Sequence, residues 1–250
     1  MSMQIVDDRI AGVSYRAARV QDPAKRLLPD LIVLHDTDGA ITRHSSVEWF
    51  EDAACRTSAH VVVERDGSIT QMVDFDVKAA HAGESCWRGR KYCNGFAIGI
   101  ELVNPGRLRR VGNLALAEWH RPGQGFDIAR YGIVEETTVV HGRGLWMPYT
   151  AAQLAAVIDL CSALVEAYPS IREIATHYEI SPGRKTDCCP LLPLPLIRER
   201  VLGDLRQPDC GPLAPEQSAA PDRIALGDSG VAVEQAQQRL AALGLSLIHI

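Results

Sequence analysis

Leu31-Ile32-Val33-Leu34-His35, followed at once by Asp36-Thr37-Asp38-Gly39, is a short apolar, partly β-branched run that stops at a turn. Such a run reads as a buried strand, and here its last residue is a histidine. Strand ends face the functional rim in α/β folds, which makes His35 a candidate ligand. The alternative is a strand-terminal imidazole bonded only to backbone.

Working outward, Ala59-His60-Val61-Val62-Val63-Glu64 is a second strand. Arg65-Asp66-Gly67-Ser68 turns it into a third over Ile69–Val73, and strands joined so tightly belong to one sheet. Phe96–Val103 reads as a central buried strand with one anomaly, Glu101. A carboxylate inside an apolar strand is costly unless it is paired or lies near a cation. It either reaches solvent at the strand end or is aimed at a metal site. Ser45-x-x-Glu48 and Thr150-x-x-Gln153 have the capping-box spacing. The second opens a helix whose Leu154, Val157, Ile158, Cys161, Leu164, Val165 and Tyr168 recur on one face until Pro169. A last short helix is expected near Leu196–Leu202. Residues 106–149 carry Gly, Arg, Trp119, His120, His141 and Trp146 with no sustained period, and read as a long surface insertion, a lip over the site.

Beyond the main helix comes Thr176-His177-Tyr178-Glu179-Ile180-Ser181-Pro182-Gly183-Arg184-Lys185-Thr186-Asp187. The Pro-Gly turn folds the segment back, so His177 and Asp187 converge on one small volume. Imidazole and carboxylate are both ordinary zinc ligands. A polar loop also carries His and Asp without any metal, and the case depends on a third ligand and an acid/base elsewhere. The loop from Ala79 to Gly95, with its glycines, His81 and the aromatic Trp87 and Tyr92, has the composition of a binding loop on a rigid sheet.

Composition sets limits. With 250 residues and 46% hydrophobic content, the chain can bury one good core and keep residues for an appendage. A net charge of −5 offers no basic field for nucleic acid. The first residues lack the pattern of a secretory signal, and no apolar run approaches a membrane span, so the expectation is a chain made soluble in the cytoplasm. The seven cysteines, an odd number, fit thiols better than a disulfide framework. Cys161 reads as core, and Cys86 with Cys93 would bridge only in an oxidising space. Gln207–Ser218 has linker composition. The domains expected are 1–205, a Pro-rich linker over 206–222, and a partial helical module over 223–250. Its single amphipathic helix cannot bury its own stripe.

Taken together, Leu31–Thr37, Ser58–Gly67, His81–Glu101 and His177–Asp187 resemble the zinc-dependent N-acetylmuramoyl-L-alanine amidases of the amidase-2 type. These share a fold with bacteriophage T7 lysozyme and the peptidoglycan recognition proteins. The resemblance implies an α/β fold, a central mixed β-sheet flanked by helices, over roughly residues 30–203. It implies His35, His177 and Asp187 as Zn²⁺ ligands, Glu101 as the catalytic carboxylate and Lys185 as the lysine near the reacting carbonyl. His60, Trp87 and Asn94 would line a sugar-peptide groove, or else pack the sheet edge and loop. Leu226-Gly227-Asp228-Ser229-Gly230 onward resembles the first helix of a peptidoglycan-binding module. The pattern then breaks off, and Leu245–Ile250 resembles translated sequencing-adapter sequence; the expectation is either a module cut short or a partner that covers the helix.

Two further features depart from the resemblance. Thr176 stands where the family has Gly, and Cys188-Cys189-Pro190 where it has Pro-Gly-Pro, putting two soft metal-binding thiols beside a ligand. The expected partner is peptidoglycan or its muropeptides, and the sequence sets no oligomeric state. The rival from another class is a non-catalytic peptidoglycan-binding protein of the same fold, which typically lacks one or more of these ligands. A structural zinc domain would need Cys188 or Cys189 as a fourth ligand. A wall-binding appendage favours action on intact wall, as in an endolysin, over recycling of soluble fragments.

Overall fold

A computed structural model describes residues 3–121 and 124–203. The expected linker over 206–222 and partial module over 223–250 lie outside the described residues. In chain order the elements that position the site are β1 (Ser14–Tyr15), β2 (Leu31–Asp36), α1 (Ser45–Glu51), β3 (Val61–Val63), β4 (Ile69–Gln71), β5 (Ala97–Leu102), β6 (Arg107–Val111), β7 (Leu114–Leu116), β8 (Phe126–Asp127), β9 (Val134–Thr138), β10 (Gly142–Trp146), α2 (Ala151–Ala167), β11 (Glu173–Thr176), α3 (His177–Ile180) and α4 (Leu194–Leu202). Short two-stranded ribbons and a 3-10 turn over Cys93–Gly95 complete the elements of the described residues.

The main sheet is mixed and six-stranded, in the order β11-β2-β5-β3-β4-β1. β11, β2, β5 and β3 run parallel to their neighbours, whereas β3 and β4 form the antiparallel hairpin read from the sequence. All of β2 is buried. Parallel strands are covered on both faces and therefore read as apolar runs. Alternation divides the run: Ile32, Leu34, Ile98, Ile100 and Ile174 join Val157, Leu160, Cys161 and Leu164 of α2 and Ile197 of α4 in the main core. Leu31, Val33, Ala97 and Ala175 face the other way, onto Ala82, Cys93 and Ile180. One face is thus sealed by helices, and the opposite face is left to the loops that build the site.

The two capping signals fare differently. Thr150 caps α2, its side chain accepting from the Gln153 N–H at 3.0 Å. The Gln153 amide does not reach back to the cap; it donates to the carbonyls of Val63 and Val103, tying helix to sheet. At α1 the Ser45 signal is overruled. His44 occupies the cap position in a left-handed conformation, with no side-chain cap, and the Ser45 hydroxyl donates to the Ala40 carbonyl. Cys86 is exposed, Cys93 buried, and both are free thiols. No helix among the described residues is long and apolar enough to cross a membrane.

The reading of 106–149 as an irregular lip needs correction. The segment folds into a five-stranded antiparallel sheet, β8-β7-β6-β10-β9. Leu108, Ala115, Phe126, Ile133, Leu145 and Met147 give it a small core of its own. Its strands are short and mostly exposed on one face, so no apolar period announces them. The two ends of the insertion meet where the Asn104 side chain donates to the Met147 carbonyl at 3.0 Å.

Candidate metal centre

Strand register assembles the site. Glu101 of β5 pairs with His35 of β2, and Thr176 of β11 pairs with Leu34, so His177, one residue on, comes level with His35. Three strands that are neighbours only in space therefore end in one row of polar side chains. Asp187 is returned to that row by the Pro182-Gly183 turn, where the Tyr178 N–H donates to the Asp187 carbonyl at 2.8 Å. The Glu179 carboxylate accepts from the Thr176 N–H and from Arg198, and so pins the start of α3.

His35, His177 and Asp187 form a buried cluster. His35 Nδ1 lies 3.0 Å from His177 Nδ1, which lies 3.0 Å from Asp187 Oδ2; the third edge, His35 Nδ1 to Asp187 Oδ2, is 3.4 Å. Ligands about 2.0–2.2 Å from a tetrahedral ion stand about 3.3–3.6 Å apart. Two imidazole lone pairs and a carboxylate oxygen turned toward one another at this spacing fit a divalent cation.

The outward nitrogens fix the tautomers. His177 Nε2 lies 3.2 Å from the Ala82 carbonyl, which only accepts, and 3.3 Å from Arg184 Nη2, which already donates to that carbonyl at 2.7 Å; a proton on Nε2, given to the carbonyl, leaves Nδ1 free toward the cluster. His81 Nε2 faces the Ala97 carbonyl at 3.2 Å, and a carbonyl only accepts, so that nitrogen carries the proton. His81 Nδ1 then accepts from His35 Nε2 at 3.0 Å, which frees His35 Nδ1 for a metal. Such outer contacts orient metal-binding imidazoles and raise their basicity. Gly99 makes room for this relay, because a Cβ there would fall 2.3 Å from the His81 ring. Arg184 clamps the same loop, donating to the carbonyls of Ala82 and Glu84 and to the Ser181 hydroxyl.

Charge follows geometry. Burial pushes His35 down to about 4, so the ring is neutral at physiological pH. Burial works to raise the Asp187 carboxyl, but its contacts with His177 and His35 outweigh that and hold it below the usual range. Glu101 goes the other way: burial first, then the carboxylates of Asp187, Asp36 and Asp38, push it well above the usual range, with Lys185 partly offsetting them. Its Oε2 is buried with no hydrogen-bond partner. Asp38, raised to about 6 by burial and by Asp187, leans into the same space. It can do so because its neighbour is Gly106, where a Cβ would meet Asp38 Oδ1 at 2.0 Å.

The structure brings His35, His177, Asp187, Glu101 and Lys185 to one place. The three residues expected to line a groove sit differently. His60 is fully buried, accepting from the Gly99 N–H and donating to the Val77 carbonyl. Trp87 donates to Glu173 at 2.6 Å. The Asn94 side chain accepts from the backbone of His81 and Ala82 and so shapes the loop behind the metal cluster. Cys188 and Cys189 turn into the main core, and burial raises both thiols. Sequence reading missed His81, Arg184 and Asp38. Gly99, an isolated glycine inside an otherwise apolar strand, was the available signal for His81, since such a glycine often marks a close approach.

The family model for N-acetylmuramoyl-L-alanine amidase, amidase-2, matches residues 25–190. The chain belongs to this family. It is 33% identical over 153 residues to the 1,6-anhydro-N-acetylmuramyl-L-alanine amidase AmpD of Escherichia coli strain K12, covering 61% of this chain and 62% of the relative's length. To the AmpD of Salmonella typhimurium strain LT2 it is 34% identical over 164 residues, 65% of this chain and 67% of that one. Among solved structures, a crystal structure of a selenomethionine AmpD derivative superposes with a TM-score of 0.53 at 25% identity, covering 80% of this chain and 99% of the other. The amidase AmiD of E. coli, in complex with anhydro-N-acetylmuramic acid-L-Ala-D-γ-Glu-L-Lys, gives 0.51 at 25% identity, with coverages of 73% and 61%.

Proposed function

We propose that this chain hydrolyses the amide between N-acetylmuramic acid and L-alanine in peptidoglycan fragments, with zinc held by His35, His177 and Asp187. The observation that carries this reading is the buried triangle of two Nδ1 atoms and one carboxylate oxygen beside the unpartnered Glu101 Oε2. Family membership supports it, and the relatives' names point to 1,6-anhydromuramyl peptides of the L-Ala-D-γ-Glu type as the substrate class.

A bound zinc ion supplies Lewis acidity, polarising a carbonyl and lowering the pKa of water toward about 7. The protein's own groups do the rest. Glu101, its Oε2 buried and its carboxyl held above the usual range, takes the proton of the attacking water and delivers it to the departing L-alanine nitrogen. Lys185, whose charge acts on both Glu101 and Asp38, offsets the negative charge that develops on the carbonyl oxygen. His81 and the Ala82 carbonyl hold the two imidazoles in their tautomers, and Arg184 holds the Ala82 loop.

Mass spectrometry of products from 1,6-anhydro-N-acetylmuramyl-L-Ala-D-γ-Glu-L-Lys, and separately from intact sacculi, tests the reading. Expected are a free peptide beginning with L-alanine, loss of release on chelation, and recovery with added zinc. Asp187→Ala should lower hydrolysis by more than the roughly 10–100-fold of an outer-sphere change. Binding without cleavage by zinc-replete protein would instead identify a recognition protein. Cleavage indifferent to chelator would remove the metal from the scheme.

A further inference from the structure

The inserted sheet is not only a lip. A groove of about 760 Å³ runs from Asp187, Thr186 and Asp38 on one bank to Arg107, Arg109 and Trp119 on the other. Arg107 pairs across strands with Trp146, and side chains alternate along a strand, so Arg107 and Arg109 share the face that carries Trp146 and Gly144. Arg107 is already engaged, lying across Gly144 and donating to the Arg143 carbonyl. The Arg109 side chain is exposed and makes no hydrogen bond or ion pair with the described residues. The opposite bank is acidic. Asp36, Asp38 and Asp187 line it with Thr186, whereas the exposed guanidinium groups of the groove all belong to the arginine bank, which is where an anionic group of a bound substrate meets them.

Given the amidase reading, on which this inference rests, the substrate carries such a group close to the reacting bond. A glutamate linked through its γ-carboxyl keeps its α-carboxylate free, one residue beyond the L-alanine. We propose that Arg109, flanked by Arg107, binds that free α-carboxylate, so that the inserted sheet selects acidic stem peptides over their amidated forms. A guanidinium meets a carboxylate through two parallel N–H donors, a geometry an amide cannot accept in the same way.

The test uses the zinc-loaded full chain and two substrates, 1,6-anhydro-N-acetylmuramyl-L-Ala-D-γ-Glu-L-Lys and the same compound with isoglutamine in place of glutamate. Wild type should favour the acid in kcat/KM by about tenfold or more, the scale of one charge-assisted hydrogen bond. Arg109→Ala should lose about that factor on the acid and less than about twofold on the amide, and Arg109→Lys should restore part of it. Equal losses on both substrates, or no loss on the acid, would overturn the assignment. If wild type cleaves neither compound, the amidase reading fails by itself. Calorimetric titration of the same two peptides onto wild type and Arg109→Ala then still decides the subsite. An acid preference that disappears in the variant upholds it, and equal affinities refute it.

Discussion

The two larger sheets among the described residues are built on opposite principles. The six-stranded sheet draws its polar row from strands buried on both faces, with β2 buried throughout and its neighbours apolar except toward their ends. The five-stranded insert has one shallow cluster of its own and strands such as Val134–Thr138 that are exposed along nearly all their length. Atoms that must converge within 3.4 Å are set in the first, where close packing forbids drift. Side chains that need only border a groove sit on the second. On the proposed reading, metal geometry and substrate choice belong to separate parts of this fold. Mutations in one should leave the other's signature intact.

The largest expected effect tests the buried side of that division. Glu101→Gln keeps the shape of the residue and removes its capacity to take a proton. Hydrolysis should fall about 10²–10⁴-fold, the usual share of general acid–base catalysis. Zinc content, read by atomic absorption on the dialysed protein, should stay at the wild-type value. A variant that lost its zinc would make Glu101 a structural prop of the cluster, and one with unchanged rate would take it out of the chemistry.

Next in size is His81. Replacing it with alanine removes the acceptor that orients His35 and leaves His35 Nε2 buried without its partner. Zinc affinity, measured by competition with a chromophoric chelator, should weaken by about 10–100-fold. His81→Gln, which can still accept at that position, should recover part of the loss. Wild-type affinity in the alanine variant would show that the packing of the row holds His35 in place and that the relay adds nothing.

The same division explains what the sequence made legible. Strands β2, β3 and β5 could be read because complete burial writes an uninterrupted apolar run. The α2 stripe could be read because one face against a sheet writes a 3.6-residue period. His35, His177, Asp187 and Glu101 stood out as polar residues at the ends of such patterns, and the resemblance ordered them into roles. The insert gave no comparable signal. Leu108, Ala115 and Leu145 form its core through pairings between strands of two to five residues, too short to display alternation, and Gly112, Gly125 and Gly142 break the runs further. His81 was hidden for another reason. Its importance comes from a 3.0 Å contact with a ring 46 positions earlier in the chain, which local pattern cannot express.

The smallest effect lies where the two sheets meet, and it measures how separate they are. His141, at the turn between β9 and β10, is buried, and its Nε2 donates to the Cys188 carbonyl at 2.9 Å. Its Nδ1 accepts from the Thr138 hydroxyl at 2.7 Å, and its ring stands edge-on to Tyr178 of α3. The insert thereby grips the residue after Asp187. His141→Ala leaves the Cys188 carbonyl without that donor, so unfolding should become easier by about 1–3 kcal/mol, the cost of a buried group left unsatisfied. Because the lost bond ends on the backbone beyond Asp187 and not on a ligand atom, zinc affinity should change by less than in His81→Ala. A chemical denaturation curve and the chelator competition, run on the same preparation, read both quantities. If affinity fell as far as in the His81 variant, the insert would be a working part of the metal centre and the separation of the two sheets would not hold.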